Sequence, residues 1–355
     1  MTVELEAVEF TLPDELSATS PPEARGLARD AVRLLVSDGD TVTHARFREL
    51  PDFLRPGDLV VVNNSAMVNA AVAARYGADA VVLHFSTRLD DGGWVVELRD
   101  PRGTPWTGAP PEADVPVLIP GGHRVLLREP WFPGAVRLWI ADPDTDVPAL
   151  LLRYGRPITY SYVAERWSAD YYRTVFGREP GSAEMPSAGR PFTDALVTEL
   201  VARGIGLAAI TLHTGVSSPE TGEPPNPERF AVPALTAELV NLTHAMGGRV
   251  VAVGTTVTRA LESAVGADGL VHAASGWTEL VLGGHHPARV VDGLITGWHA
   301  PGASHLRLLE AVAGPEVVRH AYRIALDTGY LWHEFGDTAL LFADRPGADR
   351  PASEA

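Results

Sequence analysis

Residues 249–264 read RVVAVGTTVTRALESA, and this stretch decides the fold class. Val250, Val251 and Val253 form a β-branched apolar run between a Gly-Gly pair and Gly254, the pattern of a buried strand. Gly254 allows a tight turn, and Thr255 or Thr256 can cap a helix by accepting a backbone N–H. Ala260, Leu261 and Ala264 give that helix an apolar stripe, while Arg259 and Glu262, three apart, can pair on its other face. A strand feeding a Gly-Thr-Thr turn and a helix points free amides and hydroxyls into the crevice beyond the strand end. A carboxylate or phosphate binds readily there. An ordinary strand–turn–helix unit reads the same way, so the motif alone is weak evidence for a ligand.

The frame around this unit is an ordinary globular one. The chain has 355 residues, 45% apolar and 21% charged, enough for two domains and a sizeable core. Cysteine is absent, which removes disulfides, thiolate metal sites and a cysteine nucleophile together. The start, MTVELEAVEF, lacks the apolar segment of a signal peptide, and no apolar run approaches the roughly 20 residues that span a bilayer. A cytoplasmic protein is expected, with a monomer favoured. The formal charge of −16 argues against a broad nucleic-acid footprint, although a local one is compatible with it.

Upstream of the central unit, Val32–Val36 reads as a strand with Arg29 just before it and Arg33 at its start, which are either solvated surface or an anion clamp. Phe47–Phe53 reads as a short helix, and Leu59–Asn64 as a buried strand ending in Asn63 and Asn64. From about residue 70 to 141, short alternating runs are separated by DDGG, PGGH and EPWFPG, which predicts small antiparallel strands closing into a barrel or sandwich. We therefore divide the chain into an α/β main domain (1–69 and 142–342), an inserted β-barrel domain (70–141) and a disordered tail (343–355). His84 and His123 in the insert read as structural.

Helical periodicity returns at Val147. The aromatic Asp170–Phe176 segment is expected to cover a site, and Pro180–Phe192 is rich in small residues that let a backbone approach a ligand. Gly206–Gly215 is a strand ending with Thr211 and His213; a histidine at a strand exit suits ligand work, though lone histidines are more often structural. Downstream, a strand over Arg289–Ile295 precedes His299, and His305 falls in the first turn of a helix near Ala303. A metal site from His285, His299 and Asp292 is conceivable, but no spacing matches a zinc pattern and no metal is expected. His333 and Asp337 read as acid–base groups or as turn residues.

The motifs FTLPDEL, ARDAVRLLV, LRPGDLVVVNNS, YYRTVF, REPGSAEMPSAG, AAITLHTG, RVVAVGTTVTRALESA, VVDGLITGWHAPG and GYLWHEFGDTALL run nearly end to end. In order and spacing they resemble the S-adenosylmethionine:tRNA ribosyltransferase-isomerase family of queuosine biosynthesis. The resemblance implies a mixed α/β fold with an inserted β-barrel. It implies S-adenosylmethionine as co-substrate and transfer of its ribosyl part to the aminomethyl group of a 7-deazaguanine in the tRNA anticodon. The ribose rearranges to an epoxy-cyclopentane, and adenine and methionine leave.

Departures from the family lie in the motifs. NNTRVIPAR is here NNSAMVNAA, with Ala66 for arginine and Asn69 for proline; PTAGLHF is PSAGRPF, which keeps Ser187 but puts Pro191 for histidine. LHVGAGTF is LHTGVSSP, keeping His213 and Gly215, and of His-x-Glu only Glu228 survives. The turn of PGY type becomes Gly284-His285, FHLPxST becomes WHAPGAS with His299 and Pro301 kept, and Tyr-Arg-Phe becomes Tyr330-Leu331-Trp332.

The sulfonium of S-adenosylmethionine acidifies the ribose C5′ protons and makes methionine a neutral leaving group, so a base, a carboxylate site and an adenine contact are needed. His213 and His299 are the candidates for proton transfer, with Asp337 to orient a histidine or the ribose hydroxyls. Gly254, Thr255, Thr256 and Arg259 are the candidates for the methionine carboxylate. Asn63, Asn64 and Ser187 are assigned to the adenosine, Thr211 joins this cofactor-binding set, and Arg29, Arg33, Glu228 and Tyr330 are assigned to the acceptor. Three readings follow: the tRNA reaction, a transferase, isomerase or lyase using S-adenosylmethionine on a small molecule, and a binding protein on an enzyme scaffold.

Overall fold

The computed structural model describes residues 9–343 except 40, 107, 109–114, 133–136, 161, 164, 217–224 and 285. The expected tail therefore lies outside the described residues, apart from Ala343. Before the barrel come β1 (Arg33–Asp38), β2 (Thr41–Arg46), β3 (Leu59–Asn63) and β4 (Ser65–Met67). The barrel holds β5 (Ala71–Tyr76), β6 (Asp79–Arg88), β7 (Trp94–Arg99), β8 (Val117–Ile119), β9 (His123–Pro130) and β10 (Leu138–Pro143). After it come α1 (Val147–Tyr154), β11 (Glu179–Ser182), α2 (Asp194–Ala202), β12 (Gly206–Leu212), β13 (Glu228–Val232) and α3 (Ala234–Ala245). The chain ends with β14 (Val250–Val253), α4 (Thr255–Ser263), β15 (Ala274–Thr278), β16 (Gly293–Gly297), α5 (His305–Ala313), α6 (Pro315–Asp327) and β17 (Thr338–Phe342).

The fold is mixed α/β with a closed antiparallel barrel. The main sheet has the order β15-β13-β12-β3-β14-β16-β17-β1-β2. Its centre, β12, β3, β14 and β16, is parallel, and such strands are buried on both faces. Alternation sorts the side chains: Val61, Ala252 and Leu294 pack beneath α3 to α6, while Val60, Val62, Val251, Val253 and Ile295 pack with Phe47, Phe192 and α2. The barrel closes as β10-β7-β6-β5-β8-β9 around Val72, Leu83, Phe85, Val96, Val125 and Leu127.

Strand direction decides what meets where. β17 runs against β16, β13 against β12 and β15 against β13. One edge of the sheet thus gathers the C-terminal ends of β12, β3, β14, β16 and β15 together with the starts of β13, β17 and β1. Open α/β sheets bind ligands at such an edge.

Three local expectations are corrected. Neither Thr255 nor Thr256 caps α4: Gly254 holds the N-cap position at φ 92°, and no side chain accepts from the first amides. A Cβ at Gly254 would stand 3.3 Å from Ala188 Cβ, so the tight turn and close packing both select glycine. Arg259 and Glu262 do not pair either. Glu262 is buried and accepts the backbone N–H groups of Arg289, Val290 and Val291, whereas Arg259 points to the opposite partner, Glu228. The expected strand over Arg289–Ile295 begins later, at Gly293, because those three amides are taken by Glu262.

Candidate functional site

At the gathered sheet edge lies a cavity of about 390 Å³. That is within the ~300–1,000 Å³ usual for small-molecule sites. β12 leads into Thr214, Gly215 and Val216 on its wall, β14 into Gly254, Thr255 and Thr256, and β16 into the segment from Trp298 to His305. Leu280 to Leu282 follow β15, Glu228 opens β13, and His333 and Glu334 precede β17. Tyr160, Tyr162, Glu184 and Ser187 arrive from the irregular chain after the barrel.

Arg259 is 5% exposed and spends its donors inside the protein. It pairs with Glu228 and donates to the carbonyls of Leu280 (3.1 Å), Asn226 (3.1 Å) and Thr278 (3.1 Å). It therefore fixes the loops around the cavity and is not a free anion site. Burial pushes the Glu228 carboxyl up from its ordinary range, against the pull of Arg259. What remains open to an anion on this wall is the N-terminus of α4, with its uncapped amides.

Three histidines line the cavity among the described residues: His299, His305 and His333. The His299 amide donates to the Tyr322 hydroxyl at 3.2 Å, and Trp332 Nε1 donates to the His299 carbonyl at 3.0 Å. Its Nε2 lies 3.0 Å from Thr296 Oγ1, whose own proton goes to the Gly297 carbonyl at 3.0 Å. In that arrangement Nε2 donates and Nδ1 keeps its lone pair. Burial, followed by the charges of His305 and His333, holds His299 well below the ordinary imidazole range. Burial, with Arg259 adding to it, holds His305 at about 4. His333 has φ 73°, the one positive φ among described non-glycine residues, and its ring stacks on Tyr162 at 4.1 Å. Strain of this kind concentrates at functional sites. The Tyr162 hydroxyl donates to Glu334 at 2.6 Å, and the Tyr160 hydroxyl donates to Glu184.

Of the residues read from sequence, His299, His333, Ser187, Gly254, Thr255, Thr256, Arg259 and Glu228 line this cavity, whereas His213, Asp337, Asn63, Asn64, Thr211, Arg29, Arg33 and Tyr330 do not. His213 turns toward a different set: its Nδ1 is 2.8 Å from Ser65 Oγ, which is 2.6 Å from Ser182 Oγ. A Cβ on Gly181 would lie 2.5 Å from that ring, so backbone walls it in. Asn63 braces the strand ends, accepting from Ser65 N and Leu212 N at 3.0 Å each, and Asn64 accepts the Thr211 hydroxyl at 2.7 Å. Arg29 donates to Glu23 and to the Arg173 and Asp170 carbonyls, and Arg33 donates to the Thr328 carbonyl while lying over the Tyr330 ring. These bonds replace the expected clamp. Tyr330 is fully buried with its hydroxyl on His44, and Asp337 accepts from Arg33 N and Leu331 N. For the conceivable metal set, Asp292 accepts from His244 and Val250 N at the far end of β16 from His299, and His285 lies outside the described residues.

Sequence reading missed Tyr160, Tyr162, Glu184, Glu334 and the part played by His305. The alternation Tyr-x-Tyr was the available signal, since it puts two phenols on one side of an extended segment.

A family model described as "Queuosine biosynthesis protein" matches residues 5–341. The chain is 36% identical to the S-adenosylmethionine:tRNA ribosyltransferase-isomerase of Moorella thermoacetica, over 95% of this chain and 99% of that one. It is likewise 36% identical to a protein of that name from Thermus thermophilus, over 95% and 99%. Among solved structures it resembles an S-adenosylmethionine tRNA ribosyltransferase from Thermotoga maritima, with a TM-score of 0.53 and 26% identity over 94% of this chain and 99% of that chain.

Proposed function

We propose, because the chain belongs to the queuosine biosynthesis protein family, that it is an S-adenosylmethionine-dependent ribosyltransferase-isomerase acting on tRNA. The reaction moves the ribosyl part of S-adenosylmethionine to the aminomethyl group of a 7-deazaguanine, isomerises it, and releases adenine and methionine. The observation that carries this reading is near end-to-end similarity to relatives of that name, together with a cavity at the edge where the parallel strands end. The expected compartment is the cytoplasm, where tRNA is modified, and no metal is called for. Among the described residues no helix is long and apolar enough to cross a membrane.

The chemistry that the bound co-substrate supplies is an acidified C5′ position and a neutral leaving group. The protein's share follows from its own groups. His299, kept neutral by burial, holds a lone pair on Nδ1 and serves as the base toward C5′. The α4 amides at Gly254–Thr256 take the methionine carboxylate, with the helix dipole adding to the attraction. Glu184, Glu228 and Glu334, with the faces of Tyr160 and Tyr162, face the cationic part of the ligand. The aromatic walls exclude water from the reacting carbon.

The test is incubation with S-adenosylmethionine and tRNA bearing the aminomethyl-deazaguanine. Free adenine in equal amount to modified nucleoside is the expected result. No adenine under any condition would overturn it, and adenine release indifferent to tRNA would transfer the activity to a small acceptor.

A further inference from the structure

The rings of His299 and His305 stack at 4.5 Å between centroids and only 4° between planes, and both line the cavity. They come from different elements. His299 sits in the segment after β16, its backbone held by Tyr322 and Trp332, and His305 is the first residue of α5. Thr296 occupies one nitrogen of His299. At this contact, an imidazole gives His299 a flat face to rest on, as any aromatic ring would. An imidazole also brings a second place for a proton, which a phenyl ring would not.

We infer that His305 is a positioning residue for His299: the stacked rings act as one unit that fixes the base and admits a single proton. The inference rests on the reaction proposed above. In the step it serves, the C5′–H bond breaks, its electron pair stays on that carbon, and the proton goes to Nδ1 of His299. The purine later departs with the electrons of its bond to the sugar and takes that proton, so the pair ends the cycle as it began. A second proton on the pair would put two positive rings face to face in a buried site, which like-charge repulsion forbids. The charged groups facing the pair are Arg259 from α4, itself tied to Glu228, and His333 from the segment before β17; the Tyr322 hydroxyl reaches the His299 amide from α6. Arg259 and His333 both disfavour a proton on the pair.

The experiment is an NMR titration of the histidine rings in the full chain, for the wild type and for His305→Phe, with pH profiles of adenine release alongside. His305→Phe keeps a ring in contact with His299 and removes the neighbouring proton site. The titration of His299 is expected to rise, since burial still lowers it but the charge of His305 that adds to burial is gone. The acid limb of kcat/KM should move up with it, while KM for S-adenosylmethionine stays within about twofold. His305→Ala removes the face as well, so kcat should fall by roughly tenfold with the same shift in the acid limb. If His305→Phe does not fold, His305→Gln makes the same titration measurable. An unmoved His299 titration and an unmoved acid limb in folded variants would overturn the inference. A wild type that releases no adenine would instead sink the family reading, and the titration would still judge the pair.

Discussion

The sheet edge that carries the cavity has two halves with nearly the same polar inventory and opposite fates. At the β17–β1 half, behind the cavity-lining His333, the polar groups Asp337, Arg33 and Tyr330 read from the sequence have all been taken by neighbours. Asp337 accepts from two backbone amides, Arg33 lies over Tyr330 and donates to the carbonyls of Thr328 and Gly329, and Tyr330 is closed off on His44. At the β14–β16 half, α4 starts on a glycine that caps nothing, and His299 and His305 face a cavity. Residue type does not separate the halves. What separates them is whether hydrogen-bonding capacity is left over once the fold has formed. A site is where the fold leaves donors and acceptors unspent.

The sharpest test of that contrast is His299→Phe, which should lower kcat for adenine release by roughly 100-fold or more, the usual contribution of a general base. The wild-type activity should be pH-independent around neutrality and fall only well below the ordinary imidazole range. The neutral ring is the active form, and burial has moved its titration down. Loss of activity centred near the ordinary imidazole value would break the picture of a buried base. Next comes Arg259→Met, which strands a partly buried Glu228 and leaves three carbonyls without their donor. Removing one partner of a buried pair costs about 3–5 kcal/mol, so chemical denaturation should show a large fall in midpoint. Arg259→Met combined with Glu228→Gln should recover part of it.

In the closed half, Asp337→Asn should behave as a structural change. One of two amides loses its acceptor, at about 1–3 kcal/mol of stability, while kcat in the surviving folded fraction stays within about twofold. A collapse in kcat with unchanged stability would show that the two halves are not divided as described. The smallest effect is expected outside both. Asp90, on the barrel between β6 and β7, pairs with Arg229 of β13 and accepts from Trp277 Nε1 of the edge strand β15. Both charged side chains are well exposed, so Asp90→Ala should cost less than about 1 kcal/mol and leave adenine release unchanged.

Much of this could be read from the chain, and the limits have a physical origin. The β14–α4 unit is local: a β-branched run, a glycine turn and an apolar stripe carry their own geometry within sixteen residues. The barrel declared itself through alternation, because one face of each strand must be apolar. Partnership was not legible. Arg259 has an acid three residues away and takes one 31 positions distant. The same holds for His213, which sits at a strand end as expected and then turns to Ser65, a choice made by the parallel pairing of β4 and β11. Periodicity reports which face a residue is on, and only the assembled fold reports what waits there.

One consequence follows from the direction of β17. Since it runs against β16, the segment carrying His333 and Glu334 reaches the cavity only when the final strand is threaded beside β1, where Trp332 also meets Ser17 near the beginning of the chain. A ribosome must therefore release the chain through β17 before the cavity has its last wall. A message cut short anywhere upstream would yield a protein unable to shelter its reactants.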